Sequence, residues 1–133
     1  MKRMMLDTNI CIYIIKQKPL SVKQKFESFD IGELCISSIT VAELMYGVYK
    51  SQQLERNLQA LERFLMPFEV LEFDFSAAAA YGKIRAALEK KGQVIGGLDM
   101  QIAGHAISLD MTVVTNNIKE FERVDGLMLE NWV

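Results

Sequence analysis

Arg3-Met4-Met5-Leu6 runs into Asp7-Thr8-Asn9 and then into Ile10-Cys11-Ile12-Tyr13-Ile14-Ile15. A short apolar run, a polar break and a second apolar run follow one another with no glycine or proline between them. The first run predicts a buried strand, and the break places Asp7 at its carboxyl end. The second run, read as a helix, is apolar all round, and one core-facing stripe cannot use all of it. Two readings follow. The segment is a deeply buried central helix, or one of its faces meets another protein chain. In so small a chain the second is preferred. That face is expected around Ile10, Ile12, Tyr13 and Ile14, with Met45 and Tyr49 nearby.

The same alternation continues outward. Leu34–Ser37, Val70–Phe73, Thr112–Thr115 and Leu127–Leu129 read as further strands beside Arg3–Leu6. Between them Leu54, Leu58, Leu61 and Leu65 recur at helical spacing, with Glu55, Arg56, Glu62 and Arg63 opposite. Ala77, Tyr81, Ile84 and Leu88 repeat that spacing, and Gly92 after Lys90-Lys91 predicts a stop. Thr40–Tyr49 and Asp99–Leu109 are shorter helical segments. Strands separated by helices call for right-handed crossovers and a mostly parallel sheet covered on both faces. The fold class is α/β.

With 133 residues the chain suits one domain spanning 1–133. Half the residues are apolar and only two prolines interrupt them, so a packed core is expected rather than disorder. The opening Met1-Lys2-Arg3 resembles a secretion leader, but Asp7 and Asn9 break it and no small-residue cleavage site follows. The longest run free of Asp, Glu, Lys and Arg, Met100–Leu109, has ten residues, and a membrane span needs about 20. Cys11 and Cys35 stand alone in apolar settings and read as reduced core thiols in a cytoplasmic protein. The net charge of −2 argues against a nucleic-acid partner by itself. Setting aside Asp7, Glu43 and Asp99 leaves 14 acids against 15 bases, a nearly balanced remainder.

Sites in open parallel sheets form at the carboxyl ends of strands, near a topological switch point. Asp7 ends the first predicted strand and Thr115-Asn116-Asn117 closes the fourth. Asp99 follows Gly96-Gly97-Leu98 at a helix start, and Glu43 lies inside the helix after Ser37-Ser38. Such oxygen-bearing side chains suit a hard cation, Mg2+ or Mn2+. A single histidine, His105, excludes a nuclease built on a His pair. No Gly-rich phosphate loop, H-E-x-x-H or G-x-S-x-G is present. Structural roles stand beside the chemical ones. Asp7 and Asp99 also suit helix N-caps, Glu43 can face solvent, and Asn117 suits a turn. His105 reads as packed or hydrogen-bonded. Lys16, Lys18, Lys23, Lys25, Lys83, Arg85, Lys90 and Lys91 read as solvated helix faces.

Four blocks resemble PIN-domain toxins of the VapC group, in that family's order and spacing. They are Met5-Leu6-Asp7-Thr8-Asn9-Ile10, then Ser37-Ser38-Ile39-Thr40-Val41-Ala42-Glu43-Leu44 with Tyr46-Gly47. Asp99-Met100-Gln101-Ile102-Ala103-Gly104-His105-Ala106 and Val114-Thr115-Asn116-Asn117, running into Glu120-Phe121, complete the set. The resemblance implies a three-layer α/β/α sandwich, a homodimer, and an acidic pocket that hydrolyses RNA with one or two Mg2+ or Mn2+ ions. It makes Asp7, Glu43 and Asp99 metal ligands and adds Asn117 to the catalytic set. Asn116-Asn117 stands where the family often has a fourth acid, which bears on the second metal. Implied substrates are structured RNAs, commonly tRNA, and the Asp-Thr-Asn-Ile-Cys-Ile opening suggests initiator tRNA cut in its anticodon region. The implied partner is a VapB-type antitoxin whose carboxyl-terminal segment blocks the site. Operator DNA is then contacted only through the antitoxin. The alternative is a non-catalytic PIN-like module that only binds a partner, against which the retained acids count. An aspartyl-phosphate enzyme would need a second Asp where Asn9 stands.

Overall fold

β1 spans Met4–Leu6 and its three side chains are all buried. The computed structural model describes residues 3–133; Met1 and Lys2, the start of the leader-like opening, lie outside the described residues. After β1 come helices α1 (Thr8–Lys16) and α2 (Leu20–Glu27), a 3-10 turn at Ile31–Glu33, and β2 (Leu34–Ser37). α3 (Ser38–Tyr49), α4 (Leu54–Leu65), β3 (Glu69–Leu71), α5 (Phe75–Lys91) and α6 (Gly97–Ser108) follow. β4 (Thr112–Val114), α7 (Ile118–Phe121) and β5 (Leu129–Glu130) complete the order.

The strands form one sheet in the order β3-β2-β1-β4-β5. Every neighbouring pair is parallel, with Met5 opposite both Cys35 and Val113. Alternate side chains leave a strand on opposite faces, and two cores result. Met4, Leu6, Leu34, Ile36 and Val114 join α1–α4 on one face. Met5, Cys35 and Val113 join Leu88, Met100, Ile102 and Phe121 on the other. The outcome is the expected α/β/α sandwich. Each such side chain, fully buried, contributes roughly 1.5–3 kcal/mol of transfer free energy.

Local chemistry explains most boundaries. Ser37 caps α3 by accepting the Ile39 N–H at 3.1 Å, so the helix starts before Thr40. α5 ends at Gly92 in the left-handed region (φ 67°), as its position after Lys90-Lys91 predicts. α5 and α6 cross closely at Gly104, where a Cβ would lie 2.6 Å from the Tyr81 backbone nitrogen. The strand expected at Val70–Phe73 sits at Glu69–Leu71, because Phe73 leaves the sheet: its N–H donates to Ser38 Oγ and its ring packs edge-on to His105. β5 likewise shifts to Leu129–Glu130, the residues that pair with Val113 and Val114 after a turn through Gly126 (φ 82°).

α1 divides the expectation made for its apolar run. Ile10, Cys11 and Ile14 are buried in the core, whereas Ile12, Tyr13 and Ile15 are half-buried. α1 packs against α2, α3 and α4, so neighbours take up more of its circumference than one stripe. Ile10 and Ile14 therefore do not belong to an outward face. Among the described residues, no helix is long and apolar enough to cross a membrane.

Candidate functional site

The sheet order reverses at β1, which has β2 on one side and β4 on the other. The carboxyl ends of β1 and β4 lie side by side there, the place where crevices form in such a topology. Asp7 reaches that place directly from β1. Its backbone N–H donates to the Val114 carbonyl at 3.0 Å, extending the sheet by one residue. Its Oδ1 accepts the Ile10 N–H at 2.9 Å, so Asp7 does cap α1. Capping uses one oxygen and does not compete with a role for the other.

Thr115, immediately after β4, is fully buried. Its hydroxyl hydrogen-bonds the Asp7 carboxyl and accepts the Asn117 N–H at 2.9 Å. One side chain thus fixes two site residues just beyond the ends of adjacent strands. Asn117 precedes α7 without capping it through its side chain. Instead its Nδ2 donates to Glu120 Oε2 at 3.1 Å and to Asp99 Oδ2 at 3.4 Å. Asp99 is the third residue of α6, whose N-cap is Gly96. The N-cap role open to Asp99 in the sequence is therefore not the one it plays; two glycines let the helix begin earlier. Glu43 projects from α3 and its Oε1 accepts the Thr8 hydroxyl at 2.7 Å. Thr8 opens α1, so the residue after Asp7 positions the acid on α3.

The electrostatics follow from this crowding. Burial raises the Asp7 carboxyl above the ordinary aspartate value, with Glu43 adding to it; bonds from Thr115 and the Ile10 amide oppose the shift. Asp99 is pushed up to about 6, first by burial, then by a hydrogen bond and repulsion from Glu120, then by Asp7 and Glu43. Asp7 and Asp99 are thus held beside other carboxyls against their own charge, and removing a proton from either is opposed.

Asp7, Glu43, Asp99 and Asn117 are therefore brought into one neighbourhood, linked through Thr8, Thr115 and Glu120. Glu120 is informative. Asn117 brings no charge, and the carboxylate missing there is supplied three residues later, where an i, i+3 step on α7 returns to the same side. The pair Asn117…Glu120 was visible in the sequence as that spacing, while Thr8 and Thr115 carried no signal beyond adjacency to a strand end.

Among the described residues, no group of three His, Cys, Asp or Glu side chains is arranged to hold a metal ion by itself. Asp7, Glu43 and Asp99 each lean instead on a hydrogen-bond donor: Ile10, Thr8 and Asn117. The donor set nonetheless fits a small hard cation. It consists of carboxylate, amide and hydroxyl oxygens, and Mg2+ is ordinarily held by one or two carboxylates with waters completing the shell.

The PIN-domain family model matches residues 4–127. The tRNA(fMet)-specific endonuclease VapC of Shigella flexneri is 51% identical over 132 residues, 99% of each chain. The chain belongs to the VapC group of PIN-domain ribonucleases. Ribonuclease VapC2 of Haemophilus influenzae (strain Rd) is 48% identical to this PIN domain over the full length of both chains. A chain of the DNA-bound VapBC crystal structure from Salmonella typhimurium superposes with a TM-score of 0.93 at 48% identity, covering both chains completely. The expected family, fold and enzyme class are thus all borne out.

The buried thiols and the histidine lie apart from this chemistry. Cys11 and Cys35 are free and buried. His105 is buried, its Nδ1 2.8 Å from Ser37 Oγ. Burial lowers its pKa, partly offset by Asp74 and a bond to the Glu72 backbone. It is the hydrogen-bonded core histidine that the sequence suggested.

Proposed function

We propose that this PIN domain is the toxin of a type II toxin–antitoxin pair, a Mg2+- or Mn2+-dependent endoribonuclease that inhibits translation by cutting tRNA. Initiator tRNA is the favoured substrate, since the Shigella flexneri relative is named for tRNA(fMet), and the anticodon region as cut site rests on the resemblance of the opening Asp7–Ile12 alone. The partner is a VapB-type antitoxin, as in the VapBC complexes that this fold resembles. DNA contact then runs through the antitoxin, and the chain works in the cytoplasm, where tRNA resides, as a homodimer within one domain spanning 1–133.

The observation that carries the chemistry is the gathering of carboxyls around Asp99, which has Glu120, Asp7 and Glu43 as neighbours, with Asp7 at the end of β1. Asp7, Glu43 and Asp99 are the residues that would hold the ion, with Asn117 and Glu120 beside them. When bound, the ion lowers the pKa of a water and stabilises charge on a phosphoryl oxygen. The chain's own residues set the stage: Thr115 and the Ile10 amide orient Asp7, Thr8 orients Glu43, and Asn117 bridges Asp99 and Glu120. Burial of Asp7 keeps bulk water from relaxing that arrangement.

Cleavage of tRNA by the purified chain is expected to need Mg2+ or Mn2+ and to stop with EDTA. Water, not the 2′-hydroxyl of the RNA, is the attacking group, so the products carry a 5′-phosphate and a 3′-hydroxyl. End-group analysis that returned a 2′,3′-cyclic phosphate would overturn the mechanism.

A further inference from the structure

α3 carries more than Glu43. Seven residues along, at the helix C-cap, stands Lys50, about two turns further on and on nearly the same side. Between them, one turn from Glu43, lies Tyr46, which is 67% exposed. Lys50 Nζ sits 4.9 Å from the centre of the Tyr46 ring. A large aromatic side chain left this open has no packing role to account for it, whereas tyrosines of folded cores bury most of their area. The ring has two faces. Lys50 lies over one of them, and with two thirds of the residue exposed the other remains accessible.

We propose that Tyr46 is a stacking platform for one base of single-stranded RNA next to the scissile phosphate, with Lys50 gripping the adjoining backbone phosphate. This rests on the ribonuclease reading of the carboxylate crevice. Three features support it. The platform is about 4.5 Å along the helix axis from Glu43, the rise of three residues, so a nucleotide beside the reacting phosphate reaches it. The crevice is acidic and repels a phosphodiester backbone, so a cation at its rim is needed to hold the strand. Aromatic faces bind unpaired bases of any sequence, and a neighbouring cation strengthens the contact. An unpaired base is also what an anticodon loop presents.

The occupant is tested with the Asp7→Asn chain, in which asparagine still caps α1 and RNA is not consumed. Binding of a short fluorescent single-stranded RNA is measured in Mg2+ by polarisation. Tyr46→Ala and Tyr46→Leu are each expected to weaken it about 10- to 100-fold, the usual loss for one stacked base. Tyr46→Trp should stay within a few-fold of the parent. Lys50→Ala should lower the slope of log affinity against log salt by about one phosphate contact, a slope change of roughly 0.7. In the otherwise unaltered chain, Tyr46→Ala should raise KM for tRNA and leave kcat within a few-fold. Photo-crosslinking with 5-iodouracil RNA should map to residue 46.

Equal binding by the parent and Tyr46→Ala, or full retention by Tyr46→Leu, overturns the platform. So does a parent that binds no single-stranded RNA. A dimer that falls apart on Tyr46→Ala in sedimentation also overturns it, by giving the ring to a second copy of this chain. Tyr46-dependent binding by a chain that never cleaves RNA would instead sink the ribonuclease reading and leave the platform standing.

Discussion

Asp99 shows what one side chain costs and supplies. Burial and three carboxyl neighbours push it up to about 6, so its charged form at neutral pH is held against the fold's own preference. The metal-free chain bears that penalty, and a divalent cation relieves it. Asp99→Asn removes the charge while keeping the shape and an oxygen for the bond from Asn117. Its expected effect at pH 7.5 is a metal-free Tm several degrees higher, from a gain on the order of 1 kcal/mol after allowance for solvent. The same variant should lose RNA cleavage by at least a hundredfold and lose the Tm rise that Mg2+ or Mn2+ gives the parent. Differential scanning fluorimetry with and without metal checks both stability claims. A variant less stable than the parent without metal would show that Asp99 serves the fold and not the ion.

At the scale of elements, His105 is a junction. It sits on α6, hydrogen-bonds Ser37, the N-cap of α3, and bonds the backbone of Glu72 just beyond β3. Nδ1 and Ser37 Oγ share one hydrogen bond, and the ring's other bond is to the backbone of Glu72. That joins the helix bearing Asp99 to the helix bearing Glu43. Because burial lowers the folded pKa of His105, its stabilising share is whole above the ordinary value of about 6.5 and is lost as pH falls below it. The parent Tm is expected to fall more steeply between pH 7 and pH 5 than that of His105→Gln, which cannot take up a proton. Parallel pH profiles would settle the role against it. Elements with strong periodicity were legible in the sequence. α4 spans its four leucines from Leu54 to Leu65, and β2 lies where Leu34–Ser37 placed it. α2 and α7 were not. α2 anchors itself through a single buried residue, Val22, and α7 is one turn long around Phe121, so neither carries a repeat. Asp7, Asp99 and Asn117 stood out as candidates because strand ends and helix starts are marked locally, whereas Glu43, inside α3, was singled out chiefly by the family resemblance. Glu120 was marked only by its i, i+3 spacing from Asn117, and Thr115 acts through three-dimensional neighbours that no spacing rule displays.

Across the whole molecule each side of the sheet leaves a groove, the one on the side of α5 and α6 lined by Ala80, Ile84, Leu88 and Val124. On the side of α1, α3 and α4 a groove of about 260 Å³ remains, lined by Ile12, Ile15, Leu44, Val48, Ala60 and Leu61. Glu43 stands on its wall, so one of the candidate carboxylates borders the groove. This is where the surplus apolar surface of α1 goes: Ile12 and Ile15 face the groove, while Ile10 and Ile14 fill the core. Tyr13 takes a different part, since its hydroxyl accepts from Asn116 Nδ2 at 3.1 Å and so ties α1 to the loop bearing Asn117. An apolar segment of the proposed antitoxin laid in this groove would bury those isoleucines, and a cation at its end would reach the carboxylates in place of the metal. Antitoxin and Mg2+ should then compete. Ala60→Gln offers a test, because Ala60 is half-buried on the groove wall and a longer polar side chain narrows the groove without altering charge. The complex is expected to dissociate at least tenfold more readily by calorimetry, while the free variant still cleaves tRNA but escapes inhibition. Unchanged antitoxin affinity would move the binding segment elsewhere, and raising Mg2+ from micromolar to millimolar without weakening the parent complex would remove the competition.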